Sequence, residues 1–543
     1  MNNSLPSQKL NNQNPTLDKK IIESNTSFSQ SVLWRWQRDF FICEGISAWD
    51  NQVPFYITSN PSIADSYANV MIRFMQDCYA GGKYKKGQPF YIVELGSGTG
   101  RFAFYVIKRL LELQKNLALD DINFVYVVTD LAQDNIDFCR EHSAFRDFIE
   151  AGIVDFSCFD IENDIDLTLQ LSGEVMRQNI KDSSLENPYI FIANYVFDCL
   201  PHDIFRVQDN TLYEVCPVVE ANTEHIIDNK VKNLNQLDIS FSYHSISENY
   251  YQDEDYDYLL NIYKDQPNGS YLLFPIGGLR CLEKLKRLSD GRYLMLAADK
   301  ADVELSQLAR NYPPDIRSHG NGLFMQVNFH SIMKYIQHNG GDFYYAPVQT
   351  GISSLALLSA NLFEELPETQ QATKTYLGSQ SPAVIFNLYA YIRDTMEDCP
   401  VETFLALITI SHYDPHIFDK YINVLLENIS SLNDTTRLSL ESAIPKIADN
   451  FYYIPNTNDT LENIALFFME ISNQQAALDY YQRSVALFGE EDHICYNMGL
   501  CLYELGNVLA AAKNFARALQ LNPGLTCAQE MLGKIEERSH RHH

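Results

Sequence analysis

Glu94-Leu-Gly96-Ser97-Gly98-Thr-Gly100 follows the apolar run "FYIV" and places three glycines at alternate positions. Glycine accepts the backbone conformations of a tight turn and lets a ligand approach the main chain. The helical run that begins near Phe102 presents free N–H groups suited to a carboxylate or a phosphate. A dinucleotide fingerprint reads G-x-G-x-x-G. Here the third glycine comes one residue early, and an acid sits at the strand end before the first. Such a turn alone is also compatible with a purely structural role. A second acid, Asp130, closes "FVYVVTD" 34 residues after Gly96. A carboxylate there can accept both hydroxyls of a ribose, which points to an adenosine ligand. Asp160, after "DFSCF", could accept from an adenine amino group or cap a helix. Leu131 and Ile161, directly after these acids, complete the expected cofactor set with Glu94, Gly96, Ser97, Gly98, Gly100, Asp130, Asp160 and Asn194.

A third strand-end cluster lies in "YIFIANYVFDCLP". Asn194 and Tyr195 fall at the end of the strand and Asp198 just beyond it. Amide and phenol groups there can orient an amine or amide, and a carboxylate can take a proton from a nucleophile. Asn194, Tyr195 and Asp198 are therefore the catalytic candidates, with Tyr195 and Asp198 on the substrate side. Asp198 as a helix N-cap is the competing reading. His202 reads as a surface residue with a base as the alternative, and Cys199 as core packing.

The elements that must position these groups follow from the pattern between 90 and 350. Apolar runs ending in Asp or Asn alternate with helically spaced segments, including "FAFYVIKRLLELQ", "YIFIAN" and "RYLMLAAD". Buried strands separated by helices predict a doubly wound α/β sheet, with ligands bound outside the carboxyl ends of the strands. The stretch 219–270 interrupts the rhythm and carries the acidic, tyrosine-rich "ENYYQDEDYDYLL", which reads as a solvated face or as a dock for a basic substrate. "SVLWRWQRDFFICEGISAW", with Trp34, Trp36 and Trp49, reads as a helix packed on the core, with a lid or substrate surface as the sharper alternative. Beyond about 380 the strands stop. A period of 34 residues then relates Ala477 to Ala511, Tyr481 to Phe515, Ser484 to Ala518, and Met498-Gly499 to Leu532-Gly533. Small residues at Gly499, Ala511 and Ala518 would let two helices pack closely around Phe515. The pattern resembles the tetratricopeptide repeat, whose stacked helix pairs present a surface for a peptide or protein.

The glycine motif, with Glu94, Asp130 and Asp160, resembles the class I S-adenosylmethionine (SAM) methyltransferases. That resemblance implies a Rossmann-like domain binding SAM, with Asp130 and Asp160 holding ribose and adenine. The absence of a basic residue in 93–100 suits SAM, which is cationic and carries no phosphate. A narrower resemblance covers roughly 50–360. "NPYIFIANYVFDCLPHDIF" is similar to a segment of the MidA-like family, which includes complex I assembly arginine methyltransferases; Asn194, Phe197, Asp198, Leu200 and Pro201 match. "PFYITSNPSIADSYANVM" and "LFMQVNFHSIMKYIQHNGG" resemble that family's regions on either side. The family's Glu after Asn is Tyr195 here, which weakens an arginine acceptor, because a carboxylate binds guanidinium bidentately. The expected activity is transfer of a methyl group to a nitrogen of a protein or peptide recruited by the repeats. Methylation of a small metabolite on oxygen or nitrogen, and a SAM-binding scaffold without turnover, are the alternatives. The missing G-x-G-x-x-G disfavours an NAD oxidoreductase.

The whole chain sets outer bounds. Its 543 residues carry a formal charge of −29, which disfavours nucleic acid as a partner. Eleven cysteines without a CxxC pair and a polar N-terminus suggest a reduced, cytoplasmic protein without a metal site or membrane span. A homodimer is left open. The expected division is a disordered tail at 1–30, a methyltransferase domain at 31–365 with the insertion 219–270, and a linker at 366–382. A helical region follows at 383–460, then repeats at 461–538, and 539–543 resembles a purification-tag remnant.

Overall fold

The computed structural model describes residues 19–49, 56–177, 187–227, 230–231, 233–314, 316–319, 322–347, 351–359 and 366–541. The centre is a seven-stranded sheet built from β2 (Phe90–Leu95), β3 (Phe124–Asp130), β4 (Val154–Cys158), β5 (Tyr189–Asn194), β10 (Tyr293–Asp299), β11 (Asp342–Tyr345) and β12 (Ser353–Leu358). Their order across the sheet is β11-β12-β10-β5-β2-β3-β4. β2 pairs in parallel with both β3 and β5, and β5 pairs in parallel with β10. β12 runs antiparallel to both β10 and β11, so one strand is reversed.

The order reverses at β2, whose successors in the chain pass first to one side and then, from β5, to the other. A crevice opens beyond the strand ends at such a switch point. Every residue of β2 and of β10 is buried, as expected of strands covered on both faces. The covering helices are α2 (Pro61–Ala80) and α3 (Arg101–Asn116) on one face. On the other lie α5 (Ile276–Leu288) and α6 (Phe329–His338). Two further helices stand by the crevice, α1 (Val32–Glu44) and α4 (Gln133–Glu141). Asn60 starts α2 by accepting the Ser62 and Ile63 N–H groups at 3.1 Å, with Pro61 as the first helical residue.

A second, antiparallel sheet interrupts the first. It contains β1 (Lys19–Glu23), β6 (Asp203–Gln208), β7 (Thr211–Asn222), β8 (Leu237–Ser245) and β9 (Tyr271–Phe274). The expected insertion at 219–270 therefore begins earlier, at β6. The acidic run is a capped helix, Glu254–Asn261, whose Asp253 accepts the Asp255 and Tyr256 N–H groups. The tail expected over 1–30 also ends earlier. Residues 1–18 lie outside the described residues, but Lys19–Glu23 pairs with β7, and Phe28 is fully buried beside Trp34. Nor is 366–382 a free linker. Its helical turns pack on α2, where Asp77 accepts from the Thr369 N–H and hydroxyl, each at 2.7 Å.

The C-terminal part is all-α. It contains α7 (Pro382–Asp394), α8 (Val401–Ile410), α9 (Pro415–Asn428), α10 (Asp434–Asp449), α11 (Thr460–Glu470), α12 (Gln474–Phe488), α13 (Asp492–Glu504), α14 (Val508–Leu521) and α15 (Thr526–Arg541). The repeat packs as its small residues require. A Cβ on Gly499 would sit 2.6 Å from the Phe515 ring, and Ala511 and Ala518 are fully buried. Helix α15 runs to Arg541 and takes in most of the stretch that resembled a tag. Tyr452, between α10 and α11, plugs the α/β domain. Its ring stacks on His142 at 4.1 Å, and its hydroxyl donates to the Thr99 carbonyl at 2.7 Å. No described helix is long and apolar enough to cross a membrane.

Candidate active site

Gly96, Gly98 and Gly100 all hold positive φ, at 64°, 55° and 74°. At Gly100 there is also no room: a Cβ would lie 2.6 Å from Cys139 Sγ and 3.1 Å from the Phe145 ring. Ser97 ties the loop to β3 by donating its N–H to the Thr129 carbonyl at 2.8 Å and accepting the Thr129 N–H on Oγ at 3.2 Å. Asp130 ties it again. Its Oδ2 accepts the Gly98 N–H at 2.9 Å, and its Oδ1 accepts from the Ala132 N–H at 2.9 Å and Asn135 Nδ2 at 3.0 Å. Burial raises the Asp130 carboxyl, and these hydrogen bonds oppose the rise. Glu94 lies beneath the loop. It is buried, accepts the Tyr126 hydroxyl at 2.9 Å, and is pushed by burial up to about 7.

The loop and the strand ends enclose a cleft of about 160 Å³. Six of the expected residues line it: Gly96, Asp130, Leu131, Asp160, Ile161 and Tyr195. Glu94, Ser97, Gly98, Gly100, Asn194 and Asp198 do not; five of these hold the framework around it. Asn194 Oδ1 accepts the Tyr67 hydroxyl at 2.9 Å, and its Nδ2 donates to the Thr58 carbonyl at 3.3 Å. This fixes the end of β5 against the start of α2. Tyr195 follows in the left-handed region, at φ 52°, a conformation rarely taken by a bulky residue.

Asp198 departs most from expectation. It is 1% exposed and does not reach the cleft. It sits inside a short turn of helix, so it is not an N-cap either, and its N–H donates to Asp299 Oδ2 at 3.1 Å. Burial raises both carboxyls, Asp198 to about 7. His202 is fully buried rather than at the surface. It stacks on Trp34 and does not line the cleft, and burial lowers it to about 4. Cys199 lines the cleft instead of packing in the core.

One wall comes from the tryptophan-rich helix, which the sequence offered as a lid or substrate surface only in the alternative and without naming any of its residues for the site. Trp34, Gln37, Arg38 and Phe41 line the cleft from α1. Their spacing of i, i+3, i+4 and i+7 marks a single helix face and was the available signal. Arg38 forms an ion pair with Asp160 across the cleft. The Asp160 carboxyl stays below its ordinary value: burial raises it, but the hydrogen bonds from Arg38 and Asn163 outweigh that. Asp160 is thus already engaged by a cation, and an adenine amino group would share it. Asn135, Thr129, Phe159 and Phe324 also line the cleft, contributed by segments that are distant in sequence.

Three buried polar atoms on residues lining the cleft have no partner among the described residues: Gln37 Oε1, Asn135 Oδ1 and the Tyr195 hydroxyl. Buried polar groups left unpaired cost about 1 to 3 kcal/mol each, so their concentration here is the mark of a ligand site. Two of the three are acceptors and call for donors such as ribose hydroxyls and amino groups. Asp130 and the apolar Leu131, Phe159 and Ile161 line the cleft beside them.

Residues 70–339 match the family described as "Putative S-adenosyl-L-methionine-dependent methyltransferase". The cofactor is S-adenosyl-L-methionine. Residues 493–525 match the tetratricopeptide repeat family, the unit of α13 and α14. No curated protein matches the chain. Among solved structures, a Burkholderia thailandensis protein bound to S-adenosyl-homocysteine is 13% identical, with a TM-score of 0.39 over 62% of this chain and 88% of its own. The DhpI–SAH complex is 10% identical, with a TM-score of 0.25 over 60% and 97%. YrrB, a repeat protein with an unusual peptide-binding site, is 14% identical, with a TM-score of 0.23 over 29% and 76%. These matches do not confirm the likeness to the narrower arginine-methylating family.

Proposed function

We propose that this chain transfers the methyl group of SAM to a nitrogen or oxygen nucleophile held beside Tyr195. The observation that carries this reading is the set of unpartnered buried polar atoms around a cleft at the switch point of the sheet. SAM supplies the electrophilic methyl group and its thioether leaving group. The protein's part is to bind, align and exclude water. In this reading Asp130 and Asn135 accept ribose hydroxyls, Leu131, Phe159 and Ile161 flank a base, and Gln37 accepts from a donor on the cofactor. Trp34 and Phe41 cover the cleft from α1. The cleft is narrower than the roughly 300 Å³ at which small-molecule sites begin, so α1 has to yield as the cofactor enters. Tyr195 is the group left to orient the acceptor, since Asp198 is buried away from it.

The C-terminal repeats are proposed as a docking surface for a protein or peptide, the role that stacked helix pairs commonly serve. Whether they deliver the acceptor or anchor the enzyme is decided by comparing acceptors free in solution with acceptors tethered to a repeat ligand.

The reading is tested by titrating the full chain with S-adenosyl-homocysteine (SAH) and with NAD while following tryptophan fluorescence and heat. Trp34 lines the cleft, so SAH should bind and perturb the emission, and NAD should do neither. The converse result would refute the proposal. Label from methyl-SAM should then appear in an acceptor, with Tyr195→Phe slowing transfer while sparing SAH affinity.

A further inference from the structure

The identity of the acceptor is addressed by a second cavity, and the inference drawn from it rests on the methyltransferase reading. A chamber of about 340 Å³ adjoins the cofactor cleft, and Phe324 lines both. Its volume falls in the range of small-molecule sites, about 300 to 1,000 Å³. Tyr271, Leu273, Leu308 and Tyr312 supply aromatic and apolar wall. Nothing in the binding of a nucleoside at the cleft uses this space.

The charges around the chamber are unequal. Asp302 is buried and fully engaged: Arg310 Nη2 lies 2.8 Å away, and Gln326 Nε2 donates to it at 3.3 Å. That pair cancels. Lys300, also in the lining, forms no ion pair with any described residue. The acids behind it, Asp198 and Asp299, are packed together out of water and face away from the chamber lining; burial raises both carboxyls, and Lys300 favours the charged form of Asp198 from a distance. A further cation stands behind the wall. The Arg206 guanidinium packs on the rings of Tyr243 and Tyr271 at 5.4 and 5.5 Å, and its Nε is buried without a partner among the described residues. Lys300 and Arg206 are thus two cations without an ion pair among the described residues, in a chain of net charge −29, and Lys300 on the chamber wall calls for a negative counterpart. A guanidinium acceptor would meet Lys300 as a like charge and find Asp302 already taken.

We propose that the chamber is the acceptor pocket, and that it takes a small molecule bearing an anionic group, seated on Lys300, with its nucleophile turned past Phe324 toward the cofactor cleft. The anion is held by the ammonium, the body of the molecule by the tyrosine and leucine walls, and Phe324 sets how far the acceptor reaches.

The test uses the full chain saturated with SAH and two matched sets of probes. One is para-hydroxybenzoate, para-hydroxybenzamide and para-hydroxybenzylamine; the other is butanoate, butanamide and butylamine. Affinities are read by calorimetry. A charge-assisted contact should favour the carboxylate over the amide by about tenfold or more in at least one set, with the amine weakest. Lys300→Met should abolish the preference and leave SAH affinity unchanged, and Lys300→Arg should restore it. Equal or stronger binding of the amine, a preference that persists in Lys300→Met, or no binding by any probe would overturn the proposal. If SAH itself fails to bind, the methyltransferase reading falls first, and this inference falls with it.

Discussion

Asp130→Asn separates cofactor binding from folding. In the wild type one carboxylate serves three donors: the Gly98 N–H at 2.9 Å, the Ala132 N–H at 2.9 Å and Asn135 Nδ2 at 3.0 Å. The asparagine amide keeps one oxygen, which can still serve Ala132 and Asn135. Its NH2 group then faces the Gly98 N–H, donor against donor. The loss is one charge-assisted hydrogen bond, about 1.5 to 3 kcal/mol, plus an unsatisfied buried N–H, about 1 to 3 kcal/mol. Burial raises the Asp130 carboxyl, so removing its charge returns part of that cost to the unliganded fold. The loop shape and the ribose acceptor are lost without such a return. A net penalty of about 3 kcal/mol on binding corresponds to a loss of roughly two orders of magnitude in SAH affinity. Calorimetry with SAH gives the affinity, and a thermal melt of the same sample checks the fold. A variant that melts like the wild type and binds SAH within about fivefold would show that the carboxylate neither sets the loop nor meets the cofactor.

Two other outcomes follow from the same region. Glu94, raised by burial from 4.5 to about 7, favours the fold while it is protonated, a contribution complete below about 4.5 and lost as the pH rises through about 7. Glu94→Gln should therefore gain stability over the wild type on the order of 3 kcal/mol at most near pH 8 and little near pH 4. Hydrogen exchange of the β2 amides reads the difference, and a gap that does not change with pH would contradict it. Gly100→Ala should cost about 1 to 2 kcal/mol for its left-handed backbone and about 1 to 3 kcal/mol more for the collision with Cys139 and Phe145. Adding Cys139→Ala should recover part of the second amount in denaturant titrations, and a Gly100→Ala protein as stable as the wild type would refute the packing argument.

The sequence by itself determined the parts whose signals are local. Apolar strands ending in Glu94, Asp130 and Asn194 fixed the α/β class, because a strand covered on both faces must read as an unbroken apolar run. The glycine spacing marked the cofactor loop, because positive φ at three alternate positions leaves few other residues possible. The 34-residue period exposed the repeat, because a small residue such as Gly499 has to leave room for a ring such as Phe515 where the two helices of a pair meet. What only the tertiary structure decided was which side chains share a cavity. Trp34, Gln37, Arg38 and Phe41 reach the cleft because α1 crosses the strand ends, and Arg38 meets Asp160, 122 positions further along the chain. Asp198 lies close to Tyr195 in sequence, yet it turns into a buried pair with Asp299, 101 residues away. Lys300 and Phe324 likewise line one chamber from separate segments of the chain. Strand periodicity tells which face a residue takes, but the partner on that face comes from another strand, and its position in the chain carries no local mark.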